Sequence, residues 1–252
     1  MRPTSSRRAP LLLTALALAA LTGCSTGQAG AAAIVGGERI GNDEIRSEIA
    51  EYEAALAGQG QEVADEQRPM LAGRVLSNRI AMTLFDRIAK DNGIDTGAQR
   101  TQEKLTELGG RDTLLAQGLA APQIDDQVRL AVIGEELVER ADPAEISVLA
   151  ERARATMRED MAAQGAVAGL SGEELEREIQ AALTRNEPVV RQQVVNDYLA
   201  LSLAPYLRDV DIEVSPRYGE IDPATLTIVP GVGELSAPAV EPLPALPGGV
   251  GG

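Results

Sequence analysis

Ile45, Ile49, Tyr52 and Leu56 fall at steps of four, three and four, which marks one face of a helix. Asn42 ahead of them has the chemistry of an N-cap, and Gly58 and Gly60 end the pattern. A longer stripe runs from about Glu66 to Lys90. Leu71, Val75, Met82 and Phe85 share one face and Leu76, Ile80, Leu84 and Ile88 the next, so this helix is expected to be contacted from more than one side. Asn92-Gly93 terminates it. Shorter helices are expected from Thr96 to Leu108 and from Arg111 to Leu119. Pro122 opens another, carrying Ile124, Val128, Val132 and Leu137 to Arg140. Asp142-Pro143 is a cap with Pro at the first helical position, and Ile146, Leu149, Ala153, Met157 and Met161 continue from it to about Gln164. Ser171 with Glu174 reads as a capping box ahead of Leu175, Ile179 and Leu183. Glu187-Pro188 begins the last helix, striped by Val190, Val194, Tyr198 and Leu201, and Pro205 ends or kinks it.

The two ends of this helical region follow a different period. Ile34-Val35 and Arg39-Ile40 flank Gly36-Gly37, a hairpin signal. Val210 to Val214 alternates strictly, as a half-buried strand does, and is the natural partner for that hairpin. The expected fold is therefore mainly α, with a small sheet joining the chain ends. The helical domain is assigned to residues 33–220. Residues 24–32 are small and polar and read as a flexible tether. Residues 221–252 read as a Pro/Gly-rich disordered tail; five Pro and six Gly lie between Pro230 and Gly252.

Composition removes most chemistry. The 252 residues include no His, no Trp and one Cys. A histidine relay, a His-ligated zinc and an internal disulfide are all excluded. With 23 basic and 38 acidic residues the net charge is −15, which argues against nucleic acid as a partner. Asp91-Asn92-Gly93 looks superficially like a calcium loop. The register that places Gly93 sixth puts Ile88, Lys90 and Gln99 at ligand positions, which rejects it. Glu135-Glu136 and Glu173-Glu174 read as solvated helix faces or first-turn charges rather than an acid/base pair. No enzyme and no cofactor is expected.

The N-terminus has three parts. Arg2, Arg7 and Arg8 form a basic region, and Pro10 to Leu21 is an apolar run too short to span a bilayer. Leu21-Thr22-Gly23-Cys24 then matches the lipobox of bacterial lipoproteins. A thiol is the one side chain here that readily forms a thioether to diacylglycerol. The match implies that Cys24 is lipidated and that residues 1–23 are a signal peptide, placing the protein on the extracytoplasmic face of the cell membrane. Their removal takes away three Arg and no carboxylate, moving the net charge from −15 to −18. Ser6-Arg7-Arg8 resembles a twin-arginine signal, but Pro10 stands where that signal carries an aromatic, which favours the general secretory route.

Ile34-Val35-Gly36-Gly37-Glu38-Arg39-Ile40 followed by Asn42-Asp43-Glu44-Ile45 resembles the opening of the SurA/PrsA group of extracytoplasmic chaperones, with Gly36 where Asn is usual. Lys90-Asp91-Asn92-Gly93-Ile94 is similar to the stop of that group's second helix. Val210 to Val214 with Ser215-Pro216-Arg217-Tyr218-Gly219 is similar to the C-terminal return of its short members. Full-length members carry a β-rich parvulin domain with active-site His. This chain has no His, and Gly110 to Leu183 is helical by pattern. The resemblance implies a holdase for unfolded or nascent exported polypeptides, without isomerase activity. Met70, Met82, Phe85, Met157 and Met161 are candidates for client contact, since Met adapts to varied partners; the same spacing also suits core residues. The alternative function is a structural or adaptor lipoprotein that binds one cell-envelope partner. A solute-binding lipoprotein is disfavoured by the scarcity of aromatics.

Overall fold

The computed structural model describes residues 30–167, 169 and 172–229. Cys24, Ser171 and the stretch 230–252 lie outside the described residues. Strands β1 (Ala31–Val35) and β2 (Glu38–Gly41) form an antiparallel hairpin. Its two-residue turn, Gly36-Gly37, has φ of 55° and 88°, the left-handed values such a turn demands and glycine supplies freely. Strand β3 (Ile212–Val214) pairs with the other edge of β1, Val35 opposite Ile212 and Ala33 opposite Val214. The sheet order is β2-β1-β3, so the two ends of the helical region do meet in one small sheet.

Eight helices account for most of the described residues: α1 (Asn42–Gly58), α2 (Arg68–Asp91), α3 (Ala98–Glu107), α4 (Arg111–Ala116), α5 (Ala121–Arg140), α6 (Pro143–Val167), α7 (Gly172–Arg185) and α8 (Glu187–Asp209). The broad stripe of α2 behaves as its pattern dictates. Leu71, Val75, Leu76, Ile80, Leu84 and Ile88 are all at most 1 % exposed. One face of α2 packs with β1 and α1, another with α5 and α8. The core accordingly has three parts. The first gathers the sheet, α1 and the N-terminal half of α2. The second gathers Phe85 and Ile88 of α2, Val132, Ile133 and Leu137 of α5, and Val195 and Leu199 of α8. The third is Leu105, Leu114, Leu119, Ile124 and Val128, which seats α3 and α4 on α5.

Four sequence expectations need correction. Asn42 is not the N-cap of α1: Gly41, still extended at the end of β2, holds that position. The freed Asn42 side chain donates from Nδ2 to the Ala31 carbonyl (3.3 Å) and accepts at Oδ1 from the Tyr218 hydroxyl (3.0 Å), tying the start of the domain to its end. Pro205 does not end α8, which continues to Asp209. Pro205 has no N–H to offer the Leu201 carbonyl, and both residues face solvent. The tether gives way to structure before residue 33, since β1 starts at Ala31 with Ala31 and Ala32 buried.

The last correction is the largest. The domain does not stop at 220. Strands β4 (Glu220–Asp222) and β5 (Thr227–Val229) form a second hairpin. Leu226 and Ile228, each 6 % exposed, join the first core. The Ile228 amide donates to the Ser77 hydroxyl of α2 (3.2 Å). Gly73 of α2 lies under the same strand: a Cβ there would be in ordinary contact with the Ile228 carbonyl oxygen at 3.4 Å.

Candidate functional site

Helices α6, α7 and α8 are tied by ion pairs between Arg158 and Glu176 (2.7 Å) and between Arg154 and Glu187 (2.9 Å). Their amphipathic faces bury Leu149 and Ala153 from α6, Ile179 and Ala182 from α7, and Val190 and Val194 from α8. The packing leaves an open cleft of about 630 Å³ between α6 and α8. Its apolar lining includes Leu149, Ala153 and Met157 on one wall and Val189, Val190 and Leu201 on the other. Val189 is 55 % and Leu201 58 % exposed. Among the other large apolar side chains of the described residues, only Val148 and Val229 are comparably open to solvent. Arg152, Asp160 and Asp197 contribute charge to the cleft. Arg152 makes no ion pair with any described residue, whereas Asp197 accepts from Gln193 (2.8 Å).

The candidates for client contact divide on this geometry. Met157 lines the cleft and is half-buried. Met161, one turn further along α6, is half-buried but outside the lining, and Met70 sits half-buried in the first turn of α2. Met82 and Phe85 are corrected: at 3 % and 7 % exposed they are interior residues, Phe85 in the core shared by α2, α5 and α8. Both fall on the broad face of α2 that is covered from two sides. Sequence reasoning missed Val189 and assigned Leu201 to a buried stripe. A signal for Val189 existed, because Val189-Val190 places two adjacent apolar residues where a single stripe needs one. For Leu201 there was none; it sits at stripe spacing and only the packing uncovers it.

Elsewhere the titratable groups are joined in structural seams. Arg79 of α2 pairs with Glu44 (3.3 Å) and with the buried Glu48 of α1. Asp126 of α5 lies nearby. Burial pushes its carboxyl above the ordinary 3.8, against the pull of Arg79 and Arg129. Burial likewise pushes the Tyr52 hydroxyl up to about 12. Lys104 of α3 is 5 % exposed and pairs with Glu107 and with Glu135 of α5 (2.5 Å). Burial works against its charge, but hydrogen bonds and attraction from the two carboxylates outweigh this and raise its pKa. Among the described residues no group of three or more His, Cys, Asp or Glu side chains is placed to hold a metal ion. No described helix is long and apolar enough to cross a membrane. Tyr218 is buried at the sheet's edge with Arg217 over its ring (5.5 Å), which gives this pair a structural role. No family model, curated protein or solved structure matches the chain.

Proposed function

We propose that this chain is a membrane-tethered, extracytoplasmic holdase that takes apolar segments of unfolded or nascent exported polypeptides into the α6–α8 cleft, without covalent chemistry. The observation that carries the reading is the cleft itself, with Val189 and Leu201 more than half exposed beside Leu149, Ala153 and Met157. Magnitudes favour weak and general binding. Completing the burial of three half-covered apolar side chains gains roughly 1 kcal/mol each, about half of the value for a fully exposed one. Association costs at least about 4 kcal/mol, so a client must add contacts of its own and exchanges rapidly. The lipobox at Leu21-Thr22-Gly23-Cys24 supports a tether on the membrane where exported chains emerge, and a tether raises local concentration. A net charge of −18 after processing would keep loaded complexes soluble.

The test is suppression of aggregation of an unrelated denatured protein by the purified chain at equimolar or lower amounts. Leu201→Asp and Met157→Glu should each lower the suppression severalfold while leaving the far-ultraviolet dichroism and unfolding midpoint close to wild type. No suppression by the folded wild-type chain, together with recovery of one stoichiometric partner by crosslinking in cells, would replace the holdase by an adaptor lipoprotein.

A further inference from the structure

We propose that the face of α6 and α8 around the cleft is a self-complementary docking surface for a second copy of this chain, the two copies lying antiparallel about a twofold axis. The inference stands on the exposed face and does not depend on the holdase reading, although both use the same cleft.

The pattern on α8 reads alike in both directions. Val189, Gln193, Asp197 and Leu201 recur every four residues, so they form one row, and all of them line the cleft. An antiparallel copy centred on Val195 sets Val189 opposite Leu201 and Gln193 opposite Asp197, apolar on apolar and amide on carboxylate. Helix α6 repeats the arrangement in charge. Glu145 lies three residues before Val148, and Arg152 three residues after Leu149. An antiparallel copy centred between Val148 and Leu149 therefore sets Arg152 of one copy beside Glu145 of the other. Within one chain neither makes an ion pair with any described residue. Seven helical residues, about 10.5 Å, keep them apart from each other. Val148, Val189 and Leu201, each more than half exposed, are covered together by this pairing.

The two centres stand at the same height. Arg154 of α6 pairs with Glu187 of α8 (2.9 Å). Nearer the start of α6, burial and then the charge of Glu145 raise the Tyr198 hydroxyl above its ordinary value, which places Glu145 close to Tyr198. The helices are thus antiparallel neighbours, and interpolation between these two contacts sets Val148 level with Val195 to within about one residue, about 1.5 Å. One axis serves both rows, as the isologous interface of a closed dimer requires. Gln193 already donates to Asp197 of its own chain (2.8 Å), and the second N–H of that amide is left for the carboxylate of the other copy. The footprint is about 18 Å long and two helix diameters, about 20 Å, wide. Its outline of about 360 Å² compares with roughly 800 Å² per partner in a standard interface, so pairing is weak and reversible. It is favoured where a tether concentrates the chain. Met157 and Asp160 lie beyond the footprint, so that end of the cleft stays open.

The test is made in membranes of cells producing the full chain. One copy carries Val189→Cys, a separately tagged copy carries Leu201→Cys, and a short bismaleimide joins thiols that face each other. The mixed pair should crosslink about tenfold more than either variant alone, because like positions lie about 18 Å apart across the axis. The unsubstituted chain, whose one Cys is Cys24, gives the background. Arg152→Glu in both copies should lower the mixed crosslink severalfold. Glu145→Arg added to the same chains should restore it, which no contact within a single chain could do. Equal crosslinking of like and mixed pairs, attachment to other proteins only, no crosslink, or no restoration by the second charge change would each overturn the proposal. All four substituted positions are exposed, so the variants keep the fold, which far-ultraviolet dichroism checks. Met157→Glu separates the two proposals: it should lower aggregation suppression and leave the crosslink unchanged. The crosslink without suppression keeps the dimer and removes the holdase, and suppression without the crosslink does the reverse.

Discussion

Gly134 of α5 lies close against α8 in the second core. A Cβ there would meet Val195 Cγ1 at 2.5 Å and Leu199 Cδ1 at 3.0 Å. Val195 is β-branched and has essentially one rotamer in a helix, so it cannot turn away. Overpacking of this kind costs about 1–3 kcal/mol, and the better helix propensity of Ala returns at most about 1 kcal/mol. Gly134→Ala should therefore lose on the order of 1 kcal/mol in urea unfolding, whereas Gly58→Ala, with nothing within 4 Å, should lose none. Asp126 behaves oppositely, as a residue whose charge works against the fold. Its pKa is raised in the folded state by burial, so between its ordinary 3.8 and that raised value the native state binds the extra proton. Stability from this group is present at low pH and is lost as pH rises through the folded pKa. Asp126→Asn should then unfold at a higher midpoint than wild type at pH 7, with the difference closing below about pH 4, near the unfolded carboxylate range. A constant difference at all pH values would show that geometry, not ionisation, sets the effect.

Among the elements, the β4–β5 hairpin shows most clearly how tertiary packing overrides local preference. Leu226 has φ of 55°, a left-handed conformation that costs an L-residue about 1–2 kcal/mol. The strain is held because the Leu226 side chain is buried in the first core, a gain of about 1.5–3 kcal/mol. Ile228 is the other anchor, seated over Gly73 and Ser77 of α2. Ile228→Ala should cost about 2–4 kcal/mol by loss of buried methyl groups. A loss below 0.5 kcal/mol would mean that the hairpin is an appendage rather than part of the fold. The alternation of Leu226 and Ile228, after the turn-forming Asp222-Pro223, was the one sequence signal for this hairpin. It is too short and too close to the Pro/Gly-rich end to stand out. The opposite case is α8, where Pro205, read from the sequence as an end or a kink, lies inside a helix that runs on to Asp209.

For the molecule as a whole, the consequence with the widest reach is attachment. The sheet that begins at Ala31 also receives β3 and, through the Asn42–Tyr218 hydrogen bond, the segment after it. One lipid at Cys24 would thus hold the entire helical body. Cys24→Ala should leave the protein unprocessed or release it into the medium, measured by fractionation and by the mass of the mature chain. Normal processing with unchanged membrane retention in that variant would remove the tether from the functional proposal.

The hydrophobic pattern by itself determined the number, order and approximate limits of the eight helices, the Gly36-Gly37 hairpin, and the return of Val210–Val214 to that hairpin. These follow from short-range periodicity, which is a property of the sequence alone. It also determined that α2 is central, because only a helix contacted from several sides can bury so wide a stripe. What only the tertiary structure decided is which apolar residues at helical spacing face a neighbour and which face a gap. Met82, Phe85, Met157 and Leu201 are alike in spacing; α5 and α8 cover the far side of α2, so Phe85 is buried, while the cleft between α6 and α8 leaves Leu201 open. Exposure at one position depends on the distance between helices many residues apart, and no local pattern encodes that distance.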